Sequence, residues 1–179
     1  MNTNLHPFLR PNLDLLFVGL NPPEQSNANG HYFSGKQSRF FELIYRAGLI
    51  TKPLSKEIAD EIVFDGTSVN YKQKAFGVID LVSEHVMTNS GQVHPTKEHV
   101  DALLGTIAEQ NPRIVCVIHG KVAKAVNRHG ALLRPMAYGV CGKILPECSS
   151  VVALNYFPNG NAIPDSMKLD IFGSVRDIL

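Results

Sequence analysis

The sequence predicts an α/β fold, a three-layer sandwich whose short, mainly parallel central sheet is covered by helices on both faces. Three near-continuous apolar runs, Leu13–Gly19, Arg113–Ile118 and Ser150–Leu154, read as strands buried on both sides. Segments with apolar residues at helical spacing alternate with these runs. The 179 residues suffice for one well-buried core and are too few for two comfortable ones, so a single domain over residues 1–179 is expected.

The elements follow in chain order. Leu13–Gly19 (LDLLFVG) ends in glycine and opens a Gly/Asn/Pro-rich stretch, Asn21–Gly35. Ser38 is placed to cap a helix carrying Phe40, Leu43, Ile44 and Ala47 on one face, with Gly48 as its stop. Ser55 opens a second helix that runs through Phe64, and Gly77–Val82 (GVIDLV) is a short strand or extended turn. From Thr96, residues Val100, Leu103, Leu104, Ile107 and Ala108 trace a helix face that Pro112 ends. After the strand Arg113–Ile118, Gly120 leads into a helix with Val122, Ala125 and Val126. The third strand, Ser150–Leu154, precedes a C-terminal helix begun by Pro164 and Asp165, with Ile171, Val175, Ile178 and Leu179 on one side.

In sheets of this kind ligands sit beyond the carboxyl ends of the strands. That rule selects Gly19–Pro23 (GLNPP), His119–Lys121 (HGK) and Asn155–Asn161 (NYFPNGN).

Composition narrows the class. Hydrophobic residues are 44% and charged residues 18%, the balance of an ordinary globular protein, and the net charge of +1 confines any nucleic-acid face to a local patch. Cys116, Cys141 and Cys148 include no C-x-x-C pair, so cysteine alone offers neither a disulfide framework nor a four-cysteine metal site. The first ten residues lack an apolar signal core, and no run approaches 18 apolar residues. A soluble, cytoplasmic protein with reduced thiols and no membrane association is expected.

The common α/β chemistries are missing. No strand leads into G-x-G-x-x-G or G-x-x-x-x-G-K-[ST], there is no G-x-S-x-G elbow, and the seven histidines form no H-E-x-x-H. What stands instead is the ordered set LLFVGLNPP, NGHYFSGKQSRFF and IYRAGL. This set resembles the mismatch-specific uracil/thymine-DNA glycosylase family of the uracil-DNA glycosylase superfamily, whose first motif is a strand followed by G-I-N-P. Gly77–Val82 is similar to that family's G-x-T-[ND]-L segment, Ile118–Lys121 (IHGK) to its G-K turn, and Phe157–Gly160 (FPNG) to its second motif, N-P-S-G. The matches run from about Leu15 to the C-terminal helix. They imply a uracil-DNA glycosylase-like fold and a monofunctional enzyme of base excision repair, without metal or cofactor.

The residue types suit that chemistry. Breaking an N-glycosidic bond leaves positive charge on the sugar and negative charge on the departing base, so orienting water and stabilising the anion suffice. Asn21 carries both a carbonyl acceptor and an amide donor and can hold a water against C1′ in either orientation; by resemblance that is its catalytic role. An Asn before Pro22 also fits a simple turn. Gly19, Leu20, Ser26, Phe33, Asp80 and Phe157 fall at base-binding positions of the family. Phe33 is there to stack on an extruded base, where an aromatic face returns roughly 1–3 kcal/mol. Asp80, where the family often has Asn, is there to contact the base edge.

Lys36, Arg39 and Lys121 are candidate phosphate contacts, with Lys72 and Lys74 weaker ones, and the loop Asn159, Gly160, Asn161 corresponds to the segment that enters the duplex. Three departures stand out: Asn161 in place of a bulky Leu, with Ile163 two residues on; Phe157 in place of the leading Asn, with Asn155 two residues before it; and Pro23 in place of Gly. His119 is free to serve the pocket, a phosphate or the fold. The expected partner is DNA with a damaged or mismatched base, bound by a monomer. Two rivals stay open: the same scaffold acting on hypoxanthine, xanthine or ethenocytosine, and a non-catalytic module that binds DNA or abasic sites.

Overall fold

The computed structural model describes residues 3–179. Five strands form one sheet: β1 (Leu15–Gly19), β2 (Phe76–Asp80), β3 (Ile114–Val117), β4 (Gly139–Gly142) and β5 (Val151–Leu154). Their spatial order is β2-β1-β3-β5-β4, parallel throughout except that β4 runs antiparallel to β5. Five α-helices and a π-helical turn pack around it among the described residues: α1 (Glu24–Asn29), α2 (Phe40–Arg46), the π-helical turn (Glu61–Asp65), α3 (Lys97–Gln110), α4 (Gly120–His129) and α5 (Asp165–Asp177).

Side-chain alternation along β1 creates two cores. Leu15 and Phe17 join Phe76, Val78, Ile114 and Cys116 beneath α2, α5 and the π-helical turn. Leu16 and Val18 join Val115, Val117, Val152 and Leu154 beneath α3 and α4. A sheet covered on both faces explains why its strands read as continuous apolar runs. Among the described residues, no helix is long and apolar enough to cross a membrane.

The helix ends show which local signals held. Thr96 caps α3 through a hydrogen bond from the His99 backbone, and His99 Nδ1 accepts the Thr96 N–H at 3.0 Å in return. Gly48 stops α2 with φ of 74°, the left-handed conformation that favours glycine. Ser38, by contrast, is not the cap of α2; Arg39 holds that position, and its backbone N–H is satisfied by Asn159 Oδ1 at 3.1 Å.

Four further readings need correction. The stretch Asn21–Gly35 contains the short helix α1. The helix expected from Ser55 begins only at residue 59, after a turn at 56–58, and closes as the π-helical turn. The buried face of α5 carries Lys168, Phe172 and Val175, whereas Ile178 is exposed. Strand β4 had no readable pattern, being four residues long, half-exposed and bounded by glycines with positive φ.

Candidate active site

The chain leaves β1 toward β2 and leaves the adjacent β3 in the opposite direction, toward β4 and β5, which opens a crevice at the carboxyl ends. A cavity of about 610 Å³ fills that crevice. Gly19, Leu20, Asn21, Ser26, Phe33, Lys36, Asp80, His119, Phe157 and Asn159 all line it. Three loops distant in sequence thereby meet at one place.

Asn21 leaves the end of β1 half-buried. Its Nδ2 donates to the backbone oxygens of Met87 at 2.8 Å, His85 at 2.9 Å and Pro22 at 3.2 Å. Three carbonyls demand the amine end of the amide, so the carboxamide has one orientation rather than two. Its Oδ1 accepts no hydrogen bond among the described residues and is the free acceptor of the side chain. The ladder beyond the strands holds the frame: Leu81 N donates to Gly19 O, Val82 N to Leu20 O, and Met87 N to Pro22 O.

Asp80 ends β2 in register with Gly19. It is 8% exposed, and its carboxyl accepts no hydrogen bond among the described residues. Burial pushes its pKa up to about 7. The carboxyl lies over β1 because residue 19 is glycine; a Cβ there would meet Asp80 Oδ1 at 2.2 Å. Beside it the buried Tyr32 hydroxyl has its pKa raised, first by burial and then by the charges of Asp80 and Asp60.

The aromatic wall is set by a carboxylate that sequence reasoning missed. Asp60, 1% exposed, accepts the Tyr32 N–H at 2.7 Å and lies 2.9 Å from His31 Nδ1. Phe33 then adopts a φ of 57° and stacks on Phe40 with centroids 3.9 Å apart. One ring face is covered by Phe40 while the residue borders the cavity. Ser26 is buried, and its Oγ accepts the Gly35 N–H at 3.2 Å, closing the loop on itself.

The cations differ from one another. Lys36 is exposed at the mouth, its ammonium unpaired among the described residues. Arg39 is held by both oxygens of Asp165, at 3.0 and 2.6 Å, and by Glu42; these carboxylates raise its pKa, and hydrogen bonds from Arg39 and Arg46 in turn hold that of Asp165 down at about 2. Lys121 donates to the backbone oxygens of Ser90, Gly91 and Val93. Arg39 and Lys121 are thus committed within the protein, and of the three Lys36 alone presents a free charge to a phosphate. Lys72 sits over the Tyr71 ring and Lys74 pairs with Asp14, neither at the cavity.

The loop after β5 is fastened from inside. Asn155 is fully buried and bonds the Lys168 carbonyl. Asn159 turns its side-chain oxygen to the start of α2, accepting the Arg39 N–H. Lys168, 0% exposed, donates to Pro158 O at 3.0 Å and to Gly160 O, with Asp165 Oδ1 3.8 Å away. Burial lowers its pKa, partly offset by Asp165. Phe157 and Asn161 are the side chains of this loop that face outward, Phe157 being 44% exposed.

His119 caps α4: its Nδ1 accepts the Lys121 N–H at 3.1 Å, and its ring lies 5.0 Å from that of Phe157. Burial, aided by Lys121, pushes its pKa down to about 4, so the imidazole is neutral near pH 7.

No curated protein gives a significant match to the chain. A family model of the uracil DNA glycosylase superfamily, however, matches residues 6–164, which span all five strands and every residue of the cavity described above. With the parallel sheet and its asparagine at the end of β1, the chain belongs to the uracil DNA glycosylase superfamily, hydrolases that act on DNA.

Proposed function

We propose that the protein removes a deaminated base, uracil first, that has been flipped out of DNA, and leaves an abasic site without cutting the strand. The carrying observation is the carboxamide of Asn21, pinned by three carbonyls at the cavity wall with its oxygen unengaged. Such an oxygen accepts a hydrogen bond from water and aims the water's lone pair at C1′ as the glycosidic bond opens. An amide takes up no proton, so the rate comes from orientation and from stabilising the leaving anion. Phe33 offers its ring to the base, Asp80 its carboxyl to the base edge, and Lys36 its charge to a flanking phosphate. The enzyme works as a monomer, in the cytoplasm, on water and DNA alone.

A protonated Asp80 donates one hydrogen bond and accepts another, which complements the O=C–N–H face of uracil. A carboxylate would meet the ring oxygen with like charge. Uracil release by the wild type is therefore expected to fall as pH rises through about 7, while Asp80→Asn loses that limb. Stability has the same sign. The folded-state pKa lies above the unfolded value of 3.8, so the contribution is full below about 3.8 and is lost as pH rises through about 7. Melting of both proteins at pH 5 and pH 8 checks this: Asp80→Asn should gain on the wild type at the higher pH.

Hypoxanthine and xanthine present the same lactam face, and the Asp80 geometry favours them as the second reading. A release screen over duplexes carrying uracil, hypoxanthine, xanthine or ethenocytosine tests the whole proposal. Uracil should be released fastest. Tight binding with no alkali-labile site on any duplex would instead identify a non-catalytic binding module.

A further inference from the structure

A pair of tyrosines just outside the cavity has no part in the mechanism above. The rings of Tyr138 and Tyr156 stack with centroids 4.0 Å apart and planes 12° from parallel. Gly139, the first residue of β4, pairs with Leu154, the last of β5, so Tyr138 lies at the carboxyl end of the sheet, where the cavity opens. Its hydroxyl covers Gly120, where a Cβ would meet it at 3.0 Å. Gly120 follows His119, and Tyr156 precedes Phe157; His119 and Phe157 both line the cavity. The tyrosine pair therefore stands one residue outside the rim on two loops.

Tyr138 is 51% exposed although Tyr156 covers one face of its ring, so the opposite face is open to solvent. A ring already held flat, with one face bare, is a surface on which a heterocycle stacks at little further ordering cost.

The charge beside it selects the occupant. Asn127 clamps the loop that leads to Tyr138, donating to Met136 O at 3.0 Å and accepting the Met136 N–H at 2.7 Å. Gly120, Lys124 and Asn127 are four and three residues apart on α4 and share one stripe, which places Lys124 between the tyrosine and this clamp. Lys124 and, one turn further, Arg128 are exposed and pair with no carboxylate among the described residues. From residue 110 to residue 146, the stretch that supplies α4, the return loop and β4, no Asp or Glu occurs. A flat apolar face beside uncompensated cations fits a base joined to a phosphate.

We propose that Tyr138 stacks an unpaired nucleobase of the lesion-bearing strand, next to the flipped nucleotide, while Lys124 meets the adjoining phosphate. The inference rests on the glycosylase reading, which brings that strand to the cavity, and deepens it by naming the form of DNA preferred. A base inside a duplex is already stacked on its neighbours and has no face to offer. The platform selects for unpaired DNA.

Anisotropy titrations with two labelled single strands test this. Both carry 2′-fluoro-2′-deoxyuridine, which resists base release. In one the lesion is flanked by thymidines and in the other by abasic tetrahydrofuran units, so the charge is equal and only the flanking bases differ. The wild type should bind the thymidine strand roughly tenfold more tightly, as stacking on one aromatic ring allows. Tyr138→Ala should bind both strands alike, and Tyr138→Phe should keep the preference. Lys124→Ala should weaken binding to both and reduce the salt dependence by about one phosphate contact. Equal affinity of the wild type for the two strands, or a preference that survives in Tyr138→Ala, would overturn the platform. So would a wild type that sediments as a dimer and becomes a monomer in Tyr138→Ala, which would assign the face to a second copy of the chain. Absence of base release from any uracil-bearing DNA would sink the glycosylase reading instead, because the strand preference is read from binding alone.

Discussion

Asn21→Ala is expected to slow base release by roughly 10²–10³-fold, the loss typical of one preorganised polar group, while affinity for DNA stays nearly unchanged. The reason is specific to how the side chain is held. Its amine end is spent on Met87, His85 and Pro22, so only the oxygen is available to water. The same contacts make Asn21→Asp a poor rescue despite its stronger basicity, because a carboxylate would face three carbonyl oxygens and lose every one of these bonds. Single-turnover kinetics beside a binding titration separate the effects. Equal loss of rate and affinity in Asn21→Ala would mean that the loop had collapsed and that the carboxamide had no chemical part.

Lys168→Met is expected to lower stability by roughly 2–4 kcal/mol and the melting temperature by roughly 5–15 °C. Its ammonium is the donor to Pro158 O and Gly160 O, and leaving a buried carbonyl unpaired costs about 1–3 kcal/mol. Relief of the buried charge offsets part of that cost, and Met fills most of the vacated volume. Thermal melting checks the magnitude, and amide hydrogen exchange should rise first in residues 157–161. An unchanged melting temperature with unchanged exchange would show that the loop holds itself without the lysine.

The legible part of the protein was whatever depends on local pattern. Three of the strands stood out because a sheet covered on both faces makes their apolar runs continuous, and the rule about carboxyl ends then pointed to Asn21, His119 and the loop after Leu154. Resemblance supplied Phe33 and Asp80, and both line the cavity. What stayed hidden depends on partners remote in sequence. Asp60 organises the aromatic loop through the backbone of Tyr32, 28 residues away, and Lys168 looks like a surface lysine until its carbonyl partners are known. Arg39 and Lys121 read as free cations for the same reason: the guanidinium is paired with Asp165, and the ammonium is hydrogen-bonded to main-chain oxygens of Ser90, Gly91 and Val93. Ser38 fitted a helix cap by type and spacing, yet Asn159, 120 residues further on, reached the Arg39 backbone N–H instead.

The tether between positions 21 and 85–87 reaches beyond this one molecule. Because main-chain oxygens orient the Asn21 amide, its aim belongs to the path of the chain after β2 and not to any side chain there. Two homologues could share GLNPP letter for letter and still differ widely in rate if one insertion reroutes that path. Motif identity then vouches for the tool, and the neighbouring backbone decides whether it is pointed at the work.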